Sequence, residues 1–177
     1  MQRLLDARGV ALALDRLGEG IASELVPESE VVLVGVRTRG VPLARRLAER
    51  LQREAVAVQI AAPPVGILDI TLYRDDLGQV NRWPVLRGTE IPFAIDDRRV
   101  ILIDDVVFTG RTAHAAMDAL CDLGRPSVLR LAVLIDRGHR EFPIQPDYVG
   151  QVVQTVAGDR VNVRLTETDG TDEVILL

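Results

Sequence analysis

The stretch Val100-Ile101-Leu102-Ile103-Asp104-Asp105-Val106-Val107-Phe108-Thr109-Gly110-Arg111-Thr112 decides how the rest of the chain is read. Its first four residues are apolar and mostly β-branched, as in a strand buried on both faces. Two acids follow, then three apolar residues, then a Thr-Gly-Arg-Thr run that opens a helical pattern. Over residues 111–122, Ala113, Ala116, Met117 and Leu120 fall on one helical face, and Gly124 and Pro126 stop the helix. Residues 128–135 are again a buried strand. Strand, loop, helix and strand make a βαβ unit, which implies an α/β fold with a mainly parallel sheet flanked by helices. Ligands in such sheets bind beyond the carboxyl ends of the strands, where residues 104–112 fall.

Upstream, Val10, Leu14, Leu17, Ile21 and Leu25 recur at helical spacing and predict a helix over 8–25. Val31-Val32-Leu33-Val34-Gly35-Val36 reads as a buried strand running into the loop Arg37-Thr38-Arg39-Gly40. Pro42 suits the first turn of the helix that carries Leu43, Leu47 and Leu51 as a stripe. Further strands are expected near 56–60 and 66–72. Residues 73–98, with Asp75, Asp76, Gly78, Asn81, Pro84, Gly88 and Pro92, read as a long exposed loop or hairpin, and loops of that length inside a domain are usually functional. Short strands are expected near 147–153, 160–165 and 174–177. No repeat, low-complexity run or linker interrupts the 177 residues, which favours one domain.

Composition narrows the class. Hydrophobic residues make up 47% of the chain and aromatics 3%, so Val, Ile, Leu and Ala fill the core. No apolar run reaches membrane-spanning length. The N-terminus, with Arg3, Asp6 and Arg8, has no signal-peptide core. One cysteine, Cys121, forms no internal disulfide and fits a reducing, cytoplasmic setting. The net charge of −5 argues against a general nucleic-acid coat. The chain has no lysine, so every basic side chain that meets a phosphate is an Arg fork or a His.

The loop after residue 103 has the parts of an anion and sugar site. Amides at a helix start attract phosphate, Gly110 admits a close approach, and Thr109 and Thr112 add hydroxyls. Asp104 and Asp105 repel phosphate but suit ribose hydroxyls or Mg²⁺. The same pair would suit a solvated strand end with Thr109 as N-cap, a phosphoacceptor site or another metal site, and spacing alone leaves these open. The Gly35–Gly40 loop has P-loop glycine spacing but continues Val41-Pro42, which does not fit an ATP loop. His114 and His139 lie too far apart in sequence to announce a metal cluster.

The whole pattern from Val100 to Thr112 resembles the phosphoribosyl pyrophosphate (PRPP) motif of the type I phosphoribosyltransferases. The resemblance implies that fold, with a small hood mainly over 136–177 and an inserted flexible loop at about 70–98. It implies that Asp104 and Asp105 hold the ribose hydroxyls, with Mg²⁺ accompanying PRPP. It also implies that residues from Val106 through Phe108, Thr109, Gly110 and Arg111 to Thr112 cradle the 5′-phosphate and its surroundings. Thr38, Arg39 and Gly40 match the pyrophosphate loop. Purine-salvage members carry an Asp where this chain has Phe108, and a Lys where it has Gln145, before the hood segment Pro146-Asp147-Tyr148-Val149-Gly150. Both differences count against a purine substrate.

Three segments narrow the resemblance: Asp69 to Leu77, Val100 to Thr112, and Asp136-Arg137-Gly138-His139-Arg140-Glu141. Together they are similar to the pyrimidine-operon regulatory proteins, the PyrR family, across nearly the whole chain. That likeness implies a uracil phosphoribosyltransferase that forms UMP from uracil and PRPP, responds to UMP and UTP, and binds the leader RNA of the pyrimidine operon as an attenuator. Tyr73, Arg74 and Asp75 would belong to a mobile lid, and Arg39 and Arg74 would steady the departing pyrophosphate. Arg16, Arg137, His139 and Arg140 are the RNA candidates, although Asp15, Glu19, Gln145 and Gln151 stand where further bases would help. A homodimer or larger homo-oligomer is expected. A uracil-salvage enzyme without RNA binding is the alternative.

Overall fold

The computed structural model describes residues 1–73 and 88–177. A five-stranded parallel sheet forms its centre, in the order β3-β2-β4-β5-β6. Its strands are β2 (Val31–Val36), β3 (Val65–Leu68), β4 (Arg99–Val107), β5 (Val128–Asp136) and β6 (Tyr148–Val152). All six residues of β2 are buried, as an apolar run flanked by strands and covered on both faces should be.

Alternation along the strands divides the core in two. Leu33, Ile101, Ile103 and Leu134 pack beneath α1 (Ala7–Ala22) and α2 (Gly40–Ala57). Val34, Leu102 and Val133 face the other way, onto Ala116 and Leu120 of α3 (Arg111–Leu123). Asp6 caps α1 by accepting the Gly9 amide at 2.8 Å, which fixes where that helix begins.

A second, antiparallel sheet has the order β1-β8-β7, from β1 (Gln2–Leu5), β7 (Val161–Arg164) and β8 (Glu173–Leu176). Between β7 and β8 lies the one-turn helix α4 (Thr166–Asp169). This small sheet thus takes its first strand from the N-terminus, which sequence reading assigned to no element. The segment 148–152, expected in the hood, is instead the edge strand of the central sheet.

Two other expectations are corrected. No strand occupies 56–60: α2 runs through to Ala57 and ends in a turn where Gln59 has φ 59°. Of the region read as an exposed insertion, residues 91–98 are anchored to the body. Ile95 is buried, the Asp96 carboxylate accepts the Arg125 amide at 2.8 Å, and Asp97 N–H reaches the Arg125 carbonyl. Residues 74–87 of the proposed lid, including Arg74, Asp75 and Asp76, lie outside the described residues.

Candidate functional site

β4 does not stop where its apolar run ends. It stays paired with β5 from Arg99 through Val107, with Asp104 opposite Val133 and Val107 opposite Asp136. The two acids expected in a loop are therefore fixed in the sheet at its carboxyl edge. Asp104 is only 8% exposed, and its Oδ1 accepts the Asp105 amide at 2.9 Å. Asp105 repeats the pattern with the Val106 amide at 2.9 Å. Burial pushes the Asp105 carboxyl above its ordinary range, opposed by bonds from Asp104 and Val106 and by the charge of Arg39.

Gly110 turns the chain into α3 with φ 91°, a conformation that disfavours any side chain, and as the N-cap residue it offers the helix no side-chain cap. The Thr109 hydroxyl accepts the Arg111 amide in a long bond of 3.4 Å, and its carbonyl accepts the amides of Glu141 and Phe142, both at 2.9 Å. Arg111 swings outward, pairing with Glu141 at 2.9 Å and lying 5.0 Å over the Phe142 ring. A cavity of about 540 Å³ opens here, bounded by Asp104 and every residue from Val106 to Ala113, with Leu131 and Val133 behind. One end offers a carboxylate, and the other the amides and dipole of a helix start, an arrangement that holds a hydroxyl-bearing phosphate ester.

The second loop lies against the end of β4. A Cβ on Gly40 would come within 2.3 Å of the Ile103 carbonyl oxygen, so only glycine fits there. The Arg37–Thr38 peptide is cis, and Thr38 is exposed. Arg39 grips Asp169 of α4 with two bonds, Nε to Oδ2 at 3.1 Å and Nη2 to Oδ1 at 2.8 Å. That bidentate pair raises the guanidinium's proton affinity and holds Asp169 well below the usual carboxylate range. The charge of Asp105 also acts on Arg39, so the two loops share one electrostatic neighbourhood. About two helical turns further on, Arg46 binds both Glu167 and Asp172. Nothing in sequence spacing links residues 39 and 46 to acids more than a hundred positions away.

The remaining candidates divide. Tyr73, expected in the lid, donates its hydroxyl to Asp122 at 2.9 Å and packs on the core beside α3; burial and that carboxylate push its pKa up to about 12. Arg74 lies outside the described residues. Phe108 lines the cavity, with the His139 ring edge-on at 6.1 Å. Arg16 is exposed and reaches the Gly150 carbonyl at 3.1 Å and Gln151 Oε1 at 2.7 Å. His139 is exposed, its Nε2 2.7 Å from the Thr155 carbonyl oxygen.

Arg137 and Arg140, read as RNA contacts, are turned inward instead. Arg137 is 5% exposed and bonds Thr155, Val156 and Asp159. Arg140 ties Asp136 to the carbonyls of Phe108 and Ile144. A guanidinium that has found several acceptors in its own loop gains little by leaving them for water.

Among the described residues no three His, Cys, Asp or Glu side chains come together to hold a metal unaided. Asp104 and Asp105 still supply the hard oxygen donors that suit Mg²⁺ when substrate oxygens and water complete the shell. No helix among the described residues is long and apolar enough to cross a membrane.

The sequence profile of the phosphoribosyl transferase domain matches residues 1–166. The bifunctional protein PyrR of Pelotomaculum thermopropionicum is 50% identical over 175 residues, covering 99% of this chain and 94% of that protein. The bifunctional protein PyrR of Deinococcus radiodurans is 51% identical over 173 residues, covering 98% and 92%. Among solved structures, a hypoxanthine phosphoribosyltransferase of Trypanosoma cruzi superposes with a TM-score of 0.72 at 16% identity, over 99% of this chain and 90% of that one. A purine phosphoribosyltransferase of Pyrococcus horikoshii gives 0.63 at 23% identity, over 87% and 89%. At those identities the superpositions show the fold alone. The sheet order, the acid pair ahead of a glycine-led helix and half-identical relatives along nearly the whole chain agree: this chain belongs to the phosphoribosyltransferase family, in its PyrR branch.

Proposed function

We propose that this chain is a pyrimidine-nucleotide-responsive regulator that binds pyrimidine-operon leader RNA and also converts uracil and PRPP to UMP and pyrophosphate. The observation that carries the reading is Asp104, which lines the cavity together with the glycine-led start of α3, and Asp105 beside it in β4. The carboxylates accept the two ribose hydroxyls, and the amides from Thr109 to Thr112 receive the 5′-phosphate.

In the reaction, uracil N1 bonds to C1′ of PRPP, the bond from C1′ to pyrophosphate breaks, and the N1 proton is lost. Positive charge builds on the ribose as the leaving group departs, so the protein must stabilise pyrophosphate and keep water out. Arg39 is the described cation for pyrophosphate, and it must release Asp169 to act. Arg74 is the second candidate. Members of this family use Mg²⁺ with PRPP; Asp104 and Asp105 would hold it, and it would neutralise diphosphate charge. Phe108 gives the base end of the cavity an aromatic wall without a carboxylate, which favours uracil over a purine that needs a proton acceptor there.

Arg16 and His139 are the surface groups left to meet RNA, with each partner of a homodimer contributing one set. A titration of pyrimidine-operon leader RNA, with and without UMP, tests the regulatory half. UMP should tighten binding, and affinity should fall steeply with salt as phosphate contacts are screened. No binding at low salt, together with active UMP synthesis, would make the protein a salvage enzyme, the reading that the inward turn of Arg137 and Arg140 favours. A base competition with uracil, hypoxanthine and guanine tests the other half. Conversion of a purine would overturn it.

A further inference from the structure

Arg137 is a fully charged side chain with no salt bridge to a carboxylate among the described residues, and it is buried. Isolated charge in an interior is costly, so its surroundings must be built for it. They are. The turn at 155–159 presents three oxygens to the guanidinium: Thr155 Oγ1 at 3.3 Å, the Val156 carbonyl at 3.0 Å and the Asp159 carbonyl at 2.7 Å. That turn is itself pinned, because Asp159 Oδ2 accepts the Val156 amide at 2.8 Å and Thr155 donates to the Arg137 carbonyl at 3.1 Å. The neighbouring polar side chains are already engaged, Asp136 with Arg140 and His139 with the Thr155 carbonyl.

One contact remains, and it points to the site. The guanidinium carbon stands 3.9 Å from the centre of the Phe108 ring. Phe108 lines the cavity, one residue before the phosphate loop. The backbones are tied as well, since the Arg137 amide reaches the Val107 carbonyl at 3.2 Å. A planar cation stacked on an aromatic face is more stabilising the more it is withdrawn from water, and here the guanidinium is buried and the ring half-buried. With one face covered by Arg137 and one edge met by His139, the ring has little freedom to turn.

We infer that Arg137 is a positioning residue for pyrimidine recognition: it does not touch RNA, but locks the Phe108 ring as the wall against which the flat base lies. This rests on the cavity being the phosphoribosyl site, and it assigns the base end of that site to the Arg137–Phe108 stack. Ring orientation then governs binding of the base while leaving ribose phosphate untouched.

Steady-state kinetics of Arg137→Met, Phe108→Leu and the double variant, with uracil and PRPP varied separately, test this. Wild-type protein that forms no UMP would refute the phosphoribosyltransferase reading itself, before any variant is compared. Given an active wild type, Arg137→Met should raise KM for uracil roughly tenfold, the size expected for losing a desolvated cation–π contact, and leave KM for PRPP within about twofold. Arg137→Lys, which keeps charge but loses the planar stack, should recover part of the loss. The double variant should be no worse than the poorer single one, because the two side chains act as a unit. If Arg137→Met proves too unstable to assay, Phe108→Leu leaves the buried anchor in place and should show the same split. Equal rises in both KM values, or effects that multiply in the double variant, would overturn the inference.

Discussion

Replacing Asp105 by Asn separates what the acid does for binding from what it does for the fold. Asn keeps an oxygen to accept the Val106 amide, so the local geometry survives. What disappears is a charge that burial opposes, since Asp105 is held above the ordinary carboxylate range. A carboxyl that binds its proton more tightly when folded stabilises the fold most at pH below its unfolded value of about 3.9, and loses that contribution as pH rises through the folded value. At neutral pH the ionised group is thus a net cost, which the Asn variant lacks. Its melting temperature at pH 7 should equal or exceed that of the parent, and the gap should close as the solution is acidified.

Nucleotide affinity should move the other way. A hydrogen bond from a ribose hydroxyl to a charged acceptor contributes about 1.5–3 kcal/mol, so UMP should bind roughly 10- to 150-fold more weakly. Calorimetric titration with UMP and thermal denaturation across pH read the two effects separately. Unchanged UMP affinity would remove Asp105 from the ribose site. A fall of several degrees in melting temperature at neutral pH would make it a structural residue.

Asp169→Asn should free Arg39 from a half-exposed pair worth about 1 kcal/mol and lower KM for PRPP up to about fivefold; a higher KM would mean that Asp169 orients Arg39 for the substrate. Asp172, held at about 2 by Arg46, contributes stability above its unfolded pKa and loses it as pH falls toward the folded value. Asp172→Asn should therefore cost about 1–2 kcal/mol in denaturant unfolding at pH 7, with most of the difference gone by about pH 2. Gly110→Ala forces a side chain into a left-handed turn at about 1–2 kcal/mol and sets its Cβ 3.1 Å from that of Phe142. UMP affinity should drop in this variant by more than stability does, because the strain falls on the phosphate loop; equal losses would place the loop outside the site.

The parallel sheet was legible because buried strands and amphipathic helices carry their periodicity in one dimension. Val31–Val36, the α1 stripe and the βαβ unit around residue 104 are all of that kind. The nearness of Asp104, Phe108 and Gly110 was legible for a second reason: the turn from strand to helix brings them to one cavity without help from distant chain. The small antiparallel sheet was not. β1 spans four residues with two exposed and two half-buried, too short to show alternation, and its partner β8 is at the other end of the chain. The strand expected at 56–60 failed because Val56 and Val58 are apolar yet exposed, one at the end of α2 and one in its cap. Arginine roles were the least legible. Arg137 and Arg140 look like surface charge in sequence, and only their acceptors at 136, 144 and 155–159 reveal that they brace the loop from within. Arg39 was read as part of the loop at 37–40, and its tie to Asp169 depends on a fold contact across 130 positions.

A crystal structure with UMP bound tests the central claim most directly. The account predicts the 5′-phosphate within about 3 Å of the backbone amides from Thr109 to Thr112, both ribose hydroxyls on Asp104 and Asp105, and the base against Phe108. UMP seated elsewhere, or bound here with its ribose turned away from both carboxylates, would contradict it.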